Sequence, residues 1–461
     1  MKSFAIKTDG KKLDIFQILD RLISINIDGI KNGGKGEGGA MNNESTHCIK
    51  RIQKPIIVGN VVTGKDFFDR ERESAKLIEL LQNGAHVLLL GQRRIGKSSL
   101  MLETANRMND KVICLYVDIQ HCDSSSEVIV KLGNVAQAYR TFFEVARDNV
   151  FEFFKNLKGS IEEIGYEEMF RIKLRESAAA DWVEMGNHLL SWLSRSEKKI
   201  VIFFDELPIF INRIIRDSTN SIVPEKIKKS DLFLSWLRSS AIQYAGKIAF
   251  VVGGSIGIEP VLEQVGLSDR LNLFTSFHLL PWDAKTAIRF LDDRTLNSGI
   301  HFEVGAKERI IEMLGIAIPH FVQKFLQNIV WDCIDRDSET CSVKDVERIY
   351  QQNLLAVQGS IELATYVERL ERTLGREKFS LARDLLSEAA NIGRLAGSAA
   401  LIIASRYYSG RQEQIETIRF LLKMFEHDGY LQQKDSDYVF SNHLLRDYWK
   451  KEFGFSFIPA K

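Results

Sequence analysis

The chain has 461 residues, room for two or three domains at about 100–200 residues each. Its 45% hydrophobic and 27% charged residues are those of an ordinary globular protein, and a formal net charge of +1 excludes a globally basic nucleic-acid binder and an acidic disordered chain, although not a local basic patch. The five cysteines (Cys48, Cys114, Cys122, Cys333 and Cys341) are scattered without a C-x-x-C pair, so they suggest reduced thiols and neither a zinc site nor a disulfide framework.

Residues 1–60 read as a flexible extension. A short amphipathic helix is expected over 13–27, followed by a Gly-rich run over 32–40 that ends directly before Met41. Lys35-Gly36-Glu37 can be encoded by a purine-rich run that resembles a ribosome-binding site. Translation from Met41 and a genuine flexible arm are the two readings of this segment. Residues 1–30 lack the apolar core of a signal peptide, and no apolar run approaches the ~18–20 residues of a membrane span. A cytoplasmic protein with no membrane partner is expected.

A helix is predicted from Phe67 to Leu81, ended by Asn83-Gly84. Apolar runs at 86–90, 112–119, 199–204, 248–252 and 276–280 read as five strands, separated by helical patterns that include 126–170 and 182–193. Strands alternating with helices predict a parallel α/β sheet over residues 61–282. The pattern turns all-helical over 283–358, with helices expected at 284–296, 307–314, 320–334 and 343–355. The segment 359–461 begins with a connecting helix over 360–374. Two or three further helices follow, with the most basic-acidic mixed one at 412–427. A hairpin comes next, with strands at 428–433 and 438–441 and a turn at 434–437. Helices followed by a hairpin suggest a winged helix.

The chemistry is carried by two motifs. Gly91-Gln92-Arg93-Arg94-Ile95-Gly96-Lys97-Ser98 matches G-x-x-x-x-G-K-[ST], and it stands between a predicted strand and a predicted helix. A phosphate chain needs converging backbone N–H groups, and the two glycines let the backbone approach without a Cβ. The helix start adds partial positive charge. Lys97 is placed for the β- and γ-phosphates and the Ser98 hydroxyl for Mg²⁺. The second motif is the apolar strand that closes on Asp205-Glu206. Asp205 at the strand's C-terminal edge suits the metal shell, and Glu206 suits a general base for an attacking water. ATP and Mg²⁺ are the expected ligands.

These residues, with others, carry a family resemblance. The chain resembles the AAA+-related STAND ATPases, in particular the archaeal-type ATPase group, over roughly residues 60–455. The carriers are Asp66-Phe67-Phe68-Asp69-Arg70-Glu71, the phosphate loop continued by Ser99-Leu100, Phe203-Phe204-Asp205-Glu206-Leu207-Pro208, Gly253-Gly254-Ser255-Ile256-Gly257 and Gly315-Ile316-Ala317-Ile318-Pro319. The resemblance implies a P-loop NTPase core, a helical lid and a C-terminal winged helix. It implies that Arg70 borders the adenine pocket, that Ser99 belongs to the nucleotide site and that Pro319 packs near the base. It also implies that Ser255 acts as a polar sensor between the γ-phosphate and Asp205-Glu206, where an ordinary turn serine is the other reading. Arg270 is placed where related ATPases carry a trans-acting arginine finger; a plain surface arginine is the alternative. His320 stands beside Pro319 where many AAA+ machines have an arginine, which departs from the pattern of a processive hexameric motor.

Two functions compete. One is an ATP-driven switch whose nucleotide state controls self-association or partner binding; the other is an ATP-regulated DNA-binding protein acting through the winged helix. Residues 376–461 hold 13 basic and 11 acidic residues, and the candidate recognition helix mixes Glu413, Glu416 and Glu426 with Arg419 and Lys423. Nucleic-acid readers concentrate Lys and Arg on one face, so the charge pattern favours the switch.

Overall fold

Four of the apolar runs form strands buried on both faces, as a parallel sheet favours, and a fifth, largely exposed strand closes one edge. In the computed structural model the described residues are 56–137, 139, 181–296 and 298–460, all within the unit Ile49–Lys461. The helix expected at 13–27, the Gly-rich run, Met41 and nearly all of the helical stretch beyond residue 137 lie outside the described residues.

In chain order, helix α1 (Glu71–Gln82) leads into β1 (Val87–Leu90), and α2 (Lys97–Met108) follows the phosphate loop. Then come β2 (Val112–Asp118), α3 (Ser125–Gln137), α4 (Asp181–Ser194), β3 (Lys199–Asp205), α5 (Leu207–Ile214), α6 (Pro224–Gln243), β4 (Ile248–Gly253), α7 (Ile258–Glu263) and β5 (Thr275–His278). The strand order is β2-β3-β4-β1-β5, with every pairing parallel. Alternation along each strand splits the core in two. Leu89, Val201, Phe203 and Val251 join one cluster; Leu88, Leu90, Ile202, Phe204 and Phe250 join the cluster on the opposite face. The register sets Leu89 beside Gly253 and Phe204 beside Val252, so β1, β3 and β4 end at one edge. In an open parallel sheet that edge is where ligands bind.

The helical region that follows holds α8 (Ala284–Thr295), β6 (His301–Phe302), α9 (Ala306–Leu314), α10 (Pro319–Asp335), β7 (Thr340–Cys341) and α11 (Val343–Ile349). The long α12 (Val357–Leu374) connects it to α13 (Arg376–Ile392), α14 (Gly397–Ala404), α15 (Arg411–Asp428), the hairpin β8 (Leu431–Lys434) and β9 (Asp437–Phe440), and α16 (His443–Phe453). Among the described residues no helix is long and apolar enough to cross a membrane.

Three of the boundaries that differ from the sequence reading do so for a packing reason. Helix α1 begins at Glu71 instead of Phe67, because Phe67 is taken into the core and Phe68 packs edge-on against Trp282 and Phe290, with ring centroids 5.7 and 5.3 Å away. Strand β5 stops at His278, because Leu279 turns inward beneath the phosphate loop and the Leu280 carbonyl accepts a hydrogen bond from Arg70. Residue 428 belongs to α15 and not to the hairpin, because Gly429, at φ 79°, caps the helix in the left-handed region.

Candidate nucleotide site

The phosphate loop leaves β1 at Gly91 and enters α2 at Lys97, and its turn needs unusual backbone. Gly91 has φ 150° and Gly96 φ 101°, and a Cβ on Gly91 would sit 2.6 Å from the Leu279 carbonyl oxygen. Arg94, with φ 66°, holds the left-handed conformation although it has a side chain. Such conformations cost about 1–3 kcal/mol and persist where the surroundings enforce them. Ile95 does so here by burying its side chain at 1% exposure. Lys97 is buried, and its Nζ donates to the carbonyls of Gly91 at 2.5 Å and Gln92 at 2.8 Å. Burial lowers this ammonium to about 8, against the opposing pull of Glu206 and Asp205. A cavity of about 390 Å³ opens above the loop, a size in the usual range for small-ligand sites.

Asp205 and Ser98 meet at the cavity floor. Ser98 Oγ donates to Asp205 Oδ2 at 2.5 Å, and Tyr116 OH donates to the same oxygen at 2.6 Å. Among the described residues no cluster of three or more His, Cys, Asp or Glu could form an all-protein metal cage. The oxygen pair fits Mg²⁺ nonetheless, since that ion takes one or two carboxylates together with substrate phosphates and water. Ser98 and Asp205 would hold it, and its charge would offset that developing on the phosphates.

Glu206 follows at φ 65°, a second non-glycine residue in left-handed backbone, at the turn into α5. Its Oε2 accepts from Ser255 N at 2.8 Å and from Ser255 Oγ at 2.9 Å. Burial and then the neighbouring Asp205 raise this carboxyl above its ordinary value, while the Ser255 hydrogen bonds and Arg369 pull it back. Ser255, at the end of β4, is thus bound to Glu206 and lines the same cavity.

The far wall of the cavity is apolar and aromatic. Phe67, Phe68, Trp282 and Pro319 line it together with Arg70 and His320. Arg70 Nη2 donates to the Leu280 carbonyl at 2.7 Å and Nη1 to Glu73 at 2.7 Å, which pins the segment before α1 to the chain beyond β5. Ser99, also in the lining, accepts from Val62 N at 3.1 Å and ties the preceding segment to α2. Gln92 faces Gly429 of the C-terminal region instead of lining the cavity. Arg270 stands apart from the cavity, its guanidinium on Asp231 at 2.6 Å and Asp269 at 2.7 Å.

The fold brings in groups that the motifs did not point to. Tyr116 arrives because β2 pairs with β3, and a lone tyrosine near the end of an apolar strand is its only sequence signal. Arg369 of α12 donates to Ser255 Oγ and lines the cavity. Asp428 of α15 accepts from Gly257 N at 2.7 Å. In sequence both are ordinary charges on amphipathic helices, and nothing local marks them.

Comparison with known proteins agrees with this geometry. Residues 67–247 match the family model of an ATPase domain predominantly from Archaea. No curated protein matches the sequence significantly. Among solved structures, a Walker-type ATPase of Pyrococcus abyssi is similar with a TM-score of 0.56 at 17% identity, covering 86% of this chain and 99% of its own. The ORC2 protein of Aeropyrum pernix, in ADPNP–ADP complexes, gives a TM-score of 0.48 at 13% identity over 88% of this chain and 99% of its own. The RuvB branch-migration motor of Thermotoga maritima gives 0.38 at 12% identity over 88% and 99%. At these identities the Pyrococcus likeness concerns the fold, and the two scores below 0.5 add no argument. The phosphate loop and the Asp205-Glu206 strand end both lie within residues 67–247, the stretch that matches the model of an ATPase domain predominantly from Archaea.

Proposed function

We propose that the protein is a Mg-ATP-binding and ATP-hydrolysing switch of the STAND/AAA+-like kind, in which nucleotide state sets the seating of the C-terminal module and, through it, self-association or partner binding. Residues 61–282 serve as the ATPase core, 283–358 as the lid, and 359–461 as linker helix and winged helix. Lys97 holds the phosphates, Ser98 and Asp205 hold Mg²⁺, and Glu206 takes a proton from the water that attacks the γ-phosphorus as the bond to the β,γ-bridging oxygen breaks.

The observation that carries this reading is the seating of the end of α15 on the nucleotide site. Asp428 accepts from Gly257 N, two residues beyond Ser255, and a Cβ on Gly429 would meet Gln92 Cδ at 2.4 Å. Burial raises the Asp428 carboxyl, while His427, Gly257 N, Lys97 and Arg369 pull it back. A phosphate competes with Asp428 for Lys97 and Arg369. Nucleotide and seated module therefore interact with different strength in different states, which is what any ligand-driven switch requires. DNA binding through α15 is the alternative. It is the less supported reading, because Lys423 of that helix is engaged by Glu263 of α7 at 2.6 Å.

The test is phosphate release and native mass of the full chain with ADP, with ATP and with a non-hydrolysable ATP analogue, DNA being offered in parallel. The switch predicts slow phosphate release and a change of mass or of protease sensitivity between ADP and the analogue. No turnover and one unchanged species in every state would remove it.

A further inference from the structure

One face of α12 touches three different parts of the nucleotide cavity. Glu362 Oε2 lies 2.6 Å from His320 Nε2 and 3.4 Å from Lys324 Nζ, both on α10. One turn on, Thr365 Oγ1 accepts from Arg93 of the phosphate loop at 2.5 Å. Another turn on, Arg369 Nη1 donates to Ser255 Oγ. Positions 362, 365 and 369 share a helix face by their spacing of three and four.

The last contact has a direction. A serine hydroxyl carries one proton and two lone pairs, whereas a guanidinium only donates. With Arg369 donating to Ser255 Oγ, the single hydroxyl proton is left to point at Glu206 Oε2, which Ser255 N also holds. Oε2 is thereby fixed, and Oε1 has no protein hydrogen bond among the described residues, so it is the oxygen left to accept a proton. Without the guanidinium the hydroxyl is free to rotate away, and Glu206 Oε2 is then held by the Ser255 N–H alone.

We propose that Arg369 is a positioning residue for ATP hydrolysis, supplied in cis by the connecting helix, which orients the Ser255 hydroxyl and through it the Glu206 carboxylate. This rests on the hydrolytic reading above. Its consequence is that the competence of the base depends on where α12 lies, so a segment outside the catalytic motifs sets the rate.

The experiment compares the full-length wild type with Arg369→Met, Arg369→Lys, Ser255→Ala, the Arg369→Met/Ser255→Ala double variant and Glu206→Gln. It measures steady-state phosphate release and the affinity for a non-hydrolysable ATP analogue. Methionine keeps the stem and removes the donors; lysine keeps a donor-only cation. Arg369→Met should lower kcat by about 10–100-fold, the scale for residues that orient a reacting group, with analogue affinity changed less than about threefold. Arg369→Lys should recover most of kcat. The double variant should be no slower than the slower single one, because both act through one carboxylate. Wild-type kcat in Arg369→Met with Glu206→Gln inactive would overturn this proposal and leave the hydrolytic reading intact. So would a loss confined to affinity, or additive losses in the double variant. An inactive wild type would overturn both.

Discussion

The phosphate-loop wall of the cavity and the side chains that α12 and α15 bring to or near it are built from different materials. The first is backbone. Gly91, Arg94 and Gly96 take positive φ values, the N-terminus of α2 faces the cavity, and Asp205-Glu206 is carried on a strand whose apolar residues are wholly buried. The second is side chain. Arg369, Glu362 and Asp428 reach in from helices more than 100 residues away, and Arg369 and Glu362 remain partly exposed. Groups fixed by sheet and loop backbone can move only if that backbone moves. Groups at the ends of side chains on a separate helix can be withdrawn when that helix moves. The contrast matches the proposal above, in which the first wall does the chemistry and the second controls it.

The largest effect expected is on the backbone wall. Lys97→Ala removes the buried ammonium that meets the phosphates in both ground and transition states. Turnover should be lost, by about 10²-fold or more, and nucleotide affinity should fall with it. Equilibrium binding and phosphate release on the same sample measure both; unchanged binding would show that Lys97 does not face the phosphates. Next comes Glu206→Gln, which keeps size and removes the base. Hydrolysis should fall by roughly 10²–10⁴-fold with binding nearly intact. If the switch holds, this variant should also accumulate in its ATP-bound form, visible as a persistent shift in native mass. Wild-type rates in Glu206→Gln would take the role of base from this residue.

Smaller effects are expected where the second wall meets the first. A Cβ on Gly257 would stand 2.5 Å from His427 Nδ1, at ordinary φ, so Gly257→Ala tests the seating of α15 without backbone strain. It should destabilise the protein by about 1–3 kcal/mol, as forced packing does, and make the C-terminal region easier to cleave. Urea unfolding and limited proteolysis check this; unaltered protection would mean that the contact yields freely. The smallest effect concerns the clamp between the lid and α12. The His320 ring, kept below its ordinary value by burial, donates to Glu362, and that hydrogen bond is the main cause holding the Glu362 carboxyl at about 2. A carboxyl depressed from 4.5 contributes stability that is complete above that value and is lost as pH falls from there toward 2. Melting temperatures of wild type should therefore fall more steeply between pH 5 and pH 3 than those of Glu362→Gln, by about 1–3 °C. Parallel curves would remove Glu362 from the acid response.

Much of the phosphate-loop wall was legible in the sequence alone. The phosphate loop and the Asp205-Glu206 strand end are contiguous, and each motif carries its own local geometry: a strand that buries both faces, a turn that only small residues take easily, and a helix that starts on a lysine. Ser255 could be placed from the glycines before it and from family resemblance, but its bonds to Glu206 follow from β4 lying beside β3, a pairing that no local pattern encodes. Arg70 was read as a border of the adenine pocket, and it lines the aromatic wall by gripping the Leu280 carbonyl. The start of α1 lies four residues later than the sequence suggests, because Phe67 is buried in extended backbone and Phe68 packs half-buried against Trp282 and Phe290.

The sequence by itself determined the two motifs on which the proposed chemistry rests, the phosphate loop and the strand end at Asp205-Glu206, because each is contiguous along the chain. Tertiary structure alone decided who supervises them. Arg369, Glu362 and Asp428 have no signature, since a charge on an amphipathic helix looks the same whether it meets water or a partner at the site. The pairing of β2 with β3 brings Tyr116 to Asp205, and the burial of the apolar faces of α12 and α15 in the core brings Arg369 to the cavity, Glu362 to His320 and Asp428 to Gly257.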